Sequence, residues 1–439
     1  MIKLSICIPT YNFGKFIGET LDSILPQVTD EVEVVVLDGG STDDTAEVVG
    51  SRMKVYPQLV YHDQGYRGGI DRDIEKNVSL ARGEYCWLFS SDDVMLPGAV
   101  EKILEAIRSK YDVYICEHIL CSLEMVPISE HPPFNGITHQ TLFDLGDEKQ
   151  RKVYFRAART SEAFFSFLAG PVFRKTVWDK AYVPESFRGT CWIVAGHLLS
   201  AIPTGLTVDY LHEKLMYKRC ENDSFSDRGI VNRYRIAIEG LHFIANAVFG
   251  QESEEAFHIR RVIRNEIEIQ PIIMVKFYAI KHPEQENLEL LNKIVKMHYS
   301  DRTFHSMRCY AWYKLATPSL LWAAWKLRQL LRISFWEKIA IAVRKRYPNF
   351  WRVFVVRFIK PVYVAIRERL RPSVSKVTIS LEESLALEKW RAEQLHAAHE
   401  RSARPVCKGI DNEFPVVDAG SLLNRINKEQ SRHLNQVIR

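Results

Sequence analysis

The first 120 residues alternate short apolar runs with stretches of helical spacing, and that alternation limits the fold more than any other feature of the chain. Residues 3–9 form a strand candidate. Residues 16–24 have helical spacing through Phe16, Ile17, Thr20, Leu21 and Ile24, and residues 33–37 are a nearly continuous valine run. A strand without polar alternation is one covered on both faces. The same reading gives helices at 42–53, 71–82 and 97–109, and strands at 59–61, 85–89 and 113–116. Strand and helix alternating at this pace predict βαβ units, hence an α/β fold with a mostly parallel sheet and helices on both faces. In such sheets ligands bind beyond the carboxyl ends of the strands. Thr10-Tyr11-Asn12, Asp38-Gly39-Gly40 and Ser91-Asp92-Asp93 should therefore share one rim.

Each of the three has its own chemistry. The run Glu84-Tyr85-Cys86-Trp87-Leu88-Phe89-Ser90-Ser91 ends in Asp92-Asp93. Buried carboxylates without partners are costly, so such a pair meets a cation or ends in water. Mg²⁺ or Mn²⁺ would satisfy it and admit a diphosphate; a plain strand end, with Asp93 helping to start the next helix, is the other reading. Asp38 ends the valine strand before a Gly-Gly turn and is free to accept hydrogen bonds from a base or ribose. Ser41 and Asp44 have capping-box spacing, so Asp43 and Asp44 read as caps rather than ligands. Thr10 and Asn12 fit either a turn or a site. Asp71 fits either a helix N-cap or an acceptor, with Asp73 beside it and Gly68-Gly69 allowing close backbone approach.

Taken in order, Ser5-Ile6-Cys7-Ile8-Pro9-Thr10-Tyr11-Asn12, Val36-Leu37-Asp38-Gly39-Gly40-Ser41-Thr42-Asp43-Asp44-Thr45, and Ala81-Arg82-Gly83-Glu84-Tyr85 followed by Ser90-Ser91-Asp92-Asp93 resemble the signatures of family 2 glycosyltransferases. The resemblance covers residues 1–125 well and about 100 more weakly. It implies a GT-A fold, a nucleotide-diphosphate sugar donor and a divalent metal, Mn²⁺ or Mg²⁺. Carried over by position, Pro9, Thr10, Tyr11 and Asn12 would line the nucleotide pocket. Asp38 with Gly39, and Asp71, would hold base or ribose. Asp92 would be the donor-contacting carboxylate and Asp93 the metal ligand. Ser90 stands where many members have another Asp. Gly68-Gly69-Ile70-Asp71-Arg72-Asp73 and the wording of 86–93 are similar to the abequosyltransferase-like branch, which works on bacterial O-antigen and other surface polysaccharides.

The family's acidic pair, whose Asp is the general base, has no counterpart at Arg188-Gly189-Thr190-Cys191-Trp192-Ile193-Val194-Ala195-Gly196-His197. His197 is then the candidate base, since imidazole titrates near neutral pH, with a core histidine as the plain alternative; Glu185 and Asp209 are reserves. Tyr217-Lys218-Arg219-Cys220-Glu221-Asn222-Asp223-Ser224 imperfectly resembles a further family motif, and Arg219 or Lys218 is placed to neutralise the leaving diphosphate unless the loop is simply solvated. Residues 164–173 are apolar enough to line a site or to be core.

The rest is bounded by charge. Residues 303–372 carry fifteen Lys and Arg against Glu337 and Glu368, and hold five of the nine tryptophans. Basic, aromatic amphipathic helices suit an anionic membrane surface, and a polyprenyl-linked glycan acceptor would require one; a helical bundle or a homo-oligomer contact is the competing use. No motif supports nucleic-acid binding. The expected organisation is a catalytic domain at 1–225, a helical basic region at 226–372 with a linker near 225–255, and a charged helix and tail at 373–439. Eight cysteines without Cys-x-x-Cys spacing read as reduced thiols, and a first strand starting at the amino end fits a cytoplasmic enzyme on the inner face of the membrane. Pro9-Thr10-Tyr11-Asn12-Phe13-Gly14 lacks the glycine pattern of a dinucleotide-dependent oxidoreductase. A catalytically inactive nucleotide-sugar binder or a membrane scaffold stays open beside the transferase.

Overall fold

A computed structural model describes residues 1–222, 229–317 and 319. The chain opens as β1 (Leu4–Thr10), α1 (Gly14–Ile24), β2 (Val32–Asp38), α2 (Thr45–Met53), β3 (Leu59–Asp63), α3 (Ile70–Leu80) and β4 (Tyr85–Leu88). It continues through β5 (Val94–Met95), α4 (Ala99–Ala106), β6 (Val113–Cys121), β7 (Pro127–Glu130), β8 (Thr141–Asp144), α5 (Glu148–Ala157), β9 (Pro171–Arg174), α6 (Lys175–Lys180), α7 (Ile193–Ala201) and β10 (Thr207–Arg219). Five helices follow: α8 (Ile230–Phe249), α9 (Glu254–Glu266), α10 (Ile269–Lys281), α11 (Leu288–His298) and α12 (Phe304–Leu315).

The strands form one α/β sheet in the order β3-β2-β1-β4-β9-β6-β10-β5, with β7 on β6 and β8 on β10. It is parallel from β3 to β4. Beyond that β9 runs antiparallel to both β4 and β6, while β6 and β10 are parallel. Thr10 pairs with Asp38 and Asp38 with Asp63, so the strand ends do share a rim.

Period-two alternation divides the core. Leu4, Ile6 and Ile8 face Ile17, Leu21 and Ile24 of α1 and Val100 and Ile103 of α4; Cys7, Cys86 and Leu88 face Ile74 and Val78 of α3. Each fully buried aliphatic side chain contributes roughly 1.5–3 kcal/mol. The Ala-Arg-Gly string before β4 has a packing reason. A Cβ on Gly83 would lie 2.7 Å from the Ser5 nitrogen. Instead the Gly83 N–H donates to Ser5 Oγ at 2.8 Å, and that hydroxyl donates to buried Glu33 at 2.7 Å.

The linker expected near 225–255 is not where the molecule divides. Val231, Ile238, Leu241 and Ile244 of α8, with Ile259 and Val262 of α9 and Leu291, Ile294 and Val295 of α11, belong to the same apolar cluster as Cys7 and Leu88. The helices complete the core of the sheet's second face. The seven described cysteines are free thiols; Cys407 lies outside the described residues. Among the described residues no helix is long and apolar enough to cross a membrane. Of the basic tryptophan-rich segment only residues 303–317 and 319 are described, and the charged helix and tail expected at 373–439 lie outside.

Candidate active site

A cavity of 640 Å³ opens at the carboxyl ends of β1 and β4. Pro9, Thr10, Tyr11 and Asn12 form one wall, Arg67, Gly69, Ile70 and Asp73 a second, and Ser90 and Ser91 the floor. Phe165, Ser166 and Leu168, the start of α7 from Cys191 to Ala195, and Arg233 and Ile236 of α8 close it. Thr10 is buried, and its Oγ1 has no hydrogen-bond partner among the described residues. A buried hydroxyl left open is costly and is normally satisfied, so this one suits a ligand. The Arg67 guanidinium lies 4.3 Å from the Tyr11 ring centroid, holding a cation at the mouth. Asn12 has φ 57°. Its side chain accepts from Thr42 N–H and its own N–H donates to Ser41 Oγ, both at 2.8 Å, pinning the loop after β2 to the loop after β1.

Asp38 and Asp71, expected at the nucleotide, are occupied by the protein. Asp38 accepts from Ser41 N–H and from the Tyr61 hydroxyl, each at 2.7 Å. Asp71 is buried and accepts from the N–H groups of Gly189, Cys191 and Ile193 at 2.7, 2.9 and 3.2 Å. It clamps the loop that starts α7 and does not line the cavity. Asp73 does. Residues two apart on a helix face different ways, so only one of the pair can enter the site. Asp73 accepts from Gln64 Nε2 at 2.6 Å, and a Cβ on Gly68 would come within 2.4 Å of its Oδ1. The glycine makes room for a carboxylate of the protein, and Gly39 likewise lies 3.1 Å by its Cβ position from Asp73 Oδ2.

Asp92 and Asp93 differ in setting. Asp92 accepts from the Ser90 hydroxyl and from Asn222 Nδ2, the latter at 2.8 Å. Both donors are neutral and leave lone pairs beside the cavity floor. Asp93 is 2% exposed and accepts from Arg219 N–H at 2.8 Å. Burial, and then the neighbouring Asp92 charge, push its carboxyl up to about 8. Arg219, expected at the diphosphate, is a strut beneath this pair: it donates to Asp92 O at 2.9 Å and to Leu123 O, and pairs with Glu19. Its charge is spent on tying β10 to α1. Lys218 instead lies over the Phe167 ring at 4.3 Å, beside a second cavity.

His197 does not reach the cavity either. Its Nδ1 lies 3.2 Å from Trp178 O and its Nε2 3.1 Å from Glu75, with the ring stacked on Trp178 at 3.7 Å. Burial lowers its pKa against the raising effect of Glu75, and this is a packed core imidazole held at both ring nitrogens. Of the reserves, Asp209 is buried against Gln140 at 2.7 Å, and Glu185 pairs with Arg72 and Arg188 on the surface.

Among the described residues no group of three or more His, Cys, Asp or Glu is arranged to hold a metal. A Mg²⁺-type site draws on one or two carboxylates with phosphate oxygens and water completing it. The Asp92-Asp93 pair fits that donor set: two adjacent buried carboxylates, Asp92 held only by neutral donors and Asp93 pushed up by burial and by the Asp92 charge.

Three non-glycine residues with positive φ, Asn12 (57°), Phe165 (62°) and Cys191 (68°), line the cavity. Backbone held in this sparse region costs about 1–3 kcal/mol and collects at functional sites. Sequence reasoning missed Arg67, Trp192 and Arg233, whereas Phe165 belongs to the 164–173 segment read as lining a site or as core. The one available signal was that α3 puts Ile70, Asp73 and Ile74 on a single face.

Residues 5–168 match the family described as Glycosyl transferase family 2. The chain is 28% identical over 253 residues to abequosyltransferase RfbV of Salmonella typhimurium, covering 56% of this chain and 76% of that protein. It is 27% identical over 202 residues to the GalNAc(5)-diNAcBac-PP-undecaprenol beta-1,3-glucosyltransferase of Campylobacter jejuni, covering 44% of this chain and 59% of that one. Among solved structures, S. aureus TarS 1–349 in complex with UDP-GlcNAc gives a TM-score of 0.49 at 18% identity, over 67% of this chain and 81% of that one. At that TM-score the likeness assigns no donor. With motif order, rim geometry and family match in agreement, the chain is a glycosyltransferase whose amino-terminal domain belongs to family 2.

Proposed function

We propose that the enzyme moves a sugar from a nucleotide-diphosphate donor to a hydroxyl of a lipid-linked bacterial polysaccharide, with inversion at the anomeric carbon. The observation that carries the donor half is the 640 Å³ cavity on the strand-end rim, with an unpartnered Thr10 hydroxyl inside and, at its floor, Ser90, whose hydroxyl donates to Asp92. Tyr11 offers a ring to a base, Asp73 an acceptor to ribose hydroxyls, and Arg67 and Arg233 are the cations that face the cavity in place of Arg219. Fixed cations of this kind stabilise charge building on a leaving diphosphate. Asp92 and Asp93 would hold Mn²⁺ or Mg²⁺, which supplies further charge neutralisation at that diphosphate. Support for the acceptor comes from relatives whose names specify abequosyl transfer and an undecaprenol-linked glycan.

A membrane surface suits such an acceptor. Phe304, Met307, Trp312 and Leu315 of α12 are exposed, and residues 302–317 contain Arg302, Arg308 and Lys314 without an acidic residue. Co-sedimentation with vesicles should require anionic lipid, and Trp312→Ala should weaken it. For the donor, the test is calorimetric binding of UDP, GDP, CDP and dTDP with and without Mn²⁺ or Mg²⁺, repeated with Asp93→Ala. Metal-dependent binding of one nucleotide, lost in the variant, is expected; no binding by the folded protein would leave an inactive scaffold as the better reading.

A further inference from the structure

A second cavity of 380 Å³ adjoins the first, and Ser166 and Trp192 line both. Its volume is that of a small-ligand cleft. It is formed by the 3-10 turn Ser161–Phe164, His131, Lys218 of β10 and Glu266 of α9. At its centre Glu162, with its side chain 9% exposed, meets His118, Lys218 and His131 at 3.4, 3.7 and 3.8 Å. These are loose separations for a buried carboxylate; nearby structural pairs such as Arg188–Glu75 close to 2.6 Å. His118 is fully buried on β6, and neither ring nitrogen has a hydrogen-bond partner among the described residues. The wall thus offers a carboxylate, an ammonium, the His131 imidazole, and the Trp192 and Phe167 rings, with His118 behind it, which is the equipment of a saccharide subsite. The start of α7, where an acidic base was expected, contributes Cys191, Trp192 and Ile193 instead.

We propose that this second cavity seats the acceptor sugar and that Glu162 is the general base of the transfer. The inference rests on the donor reading of the first cavity. The acceptor O–H proton passes to the Glu162 carboxylate, and the freed oxygen bonds to the anomeric carbon. The bond from that carbon to the phosphate oxygen breaks, and its electron pair leaves with the nucleoside diphosphate. Ser166 Oγ, which donates to Ser161 Oγ at 2.8 Å, marks where the two cavities meet. Burial pushes the Glu162 carboxyl up to about 8 against the lowering effect of Lys218, so its ionised form is a strong base. The groups facing it are Glu117 and His118 on β6, His131, Lys218 and Glu266.

The first arm needs no nucleotide. Saturation-transfer NMR of the full chain with free galactose, mannose, rhamnose and N-acetylglucosamine should show at least one bound sugar, with the signal at least fivefold weaker in Trp192→Ala. No sugar bound at tens of millimolar overturns the subsite whatever the donor cavity does. The second arm follows nucleoside diphosphate release with that sugar as acceptor. Glu162→Gln should lower kcat at least 100-fold at unchanged nucleotide affinity, and Glu162→Asp should recover part of it. Wild-type kcat should rise with pH toward about 8, and Lys218→Met should move that limb to higher pH, a readout that survives if Glu162→Gln fails to fold. Wild-type kcat in a folded Glu162→Gln chain, with only its Tm changed, overturns the base. If a sugar binds but no nucleotide does, the donor reading and the catalytic role fail together while the subsite stands.

Discussion

Carboxylates on the β1–β4 side of the molecule close onto backbone N–H groups and short hydroxyl contacts, whereas Glu162 on the β6–β10 side stands in a cavity beside the Lys218 ammonium and two imidazoles. Asp71 takes three N–H groups of the loop before α7, and Asp38 takes Ser41 N–H and a tyrosine hydroxyl. Asp43 accepts from Gly14 N–H at 2.9 Å and from Thr45, joining the starts of α1 and α2. Burial pushes Asp43 up, but those bonds outweigh it and hold its carboxyl below the usual range. Fixed dipoles at 2.7–3.2 Å make a carboxylate part of the scaffold. Two imidazoles and one ammonium at 3.4–3.8 Å hold Glu162 less tightly. On the proposed assignment, the carboxylates around the donor cavity are held by the protein itself, and Glu162 in the acceptor cavity is held less tightly.

Four measurements would sharpen or break that contrast. The largest effect should come from Asp92→Ala, a rim carboxylate held only by neutral donors: transfer should fall by about 10²–10³-fold, in the range of a lost transition-state charge partner. Near-normal turnover would make Asp92 scaffold like its neighbours. Next, Asp71→Ala should cost about 2–3 kcal/mol in urea unfolding, because buried N–H groups are left unsatisfied. A cost below about 0.5 kcal/mol with collapsed nucleotide binding would return Asp71 to the donor site. Third, Arg67→Ala should weaken nucleoside diphosphate binding by about tenfold, the scale of one exposed charge-assisted contact, and leave the Tm nearly unchanged.

The smallest effect is a slope. Burial lowers His131 to about 4, below an unfolded value of roughly 6.5. Between those values the unfolded chain binds more protons, so stability falls as pH drops from about 6.5 toward 4. Its side chain is about a third exposed, so screening should limit the loss to about 1 kcal/mol. Replacing His131 with Gln should flatten that part of the stability curve, and an unchanged slope would place the titration elsewhere, as in buried His298.

The same contrast explains what the sequence could tell. β1, β2 and β4 carry their polar ends on contiguous apolar runs, so the rim could be read from spacing, and the register of Thr10 with Asp38 bears it out. The second cavity draws on residues 131, 162, 218 and 266, which share no local pattern. Helical spacing alone does not say which of Asp71 and Asp73 faces inward; in the structure Asp71 clamps residues 189–193 and Asp73 lines the cavity. His197 and Arg219 have the right chemistry at plausible positions, but Trp178 with Glu75, and Glu19 with Leu123 O, already hold them.

The apolar cluster that runs from Cys7 and Leu88 into α8, α9 and α11 also bears on how such an enzyme is made and altered. A nascent chain released at residue 225 would leave part of this apolar cluster uncovered, so productive folding should wait for α9 and α11 to emerge, with chaperones shielding that part meanwhile. Recombination faces the same obstacle. A change of acceptor by exchanging the carboxyl-terminal half would have to carry the matching sheet positions with it, so specificity in this lineage should drift by point substitution around Trp192 and Lys218 rather than by transplanted segments.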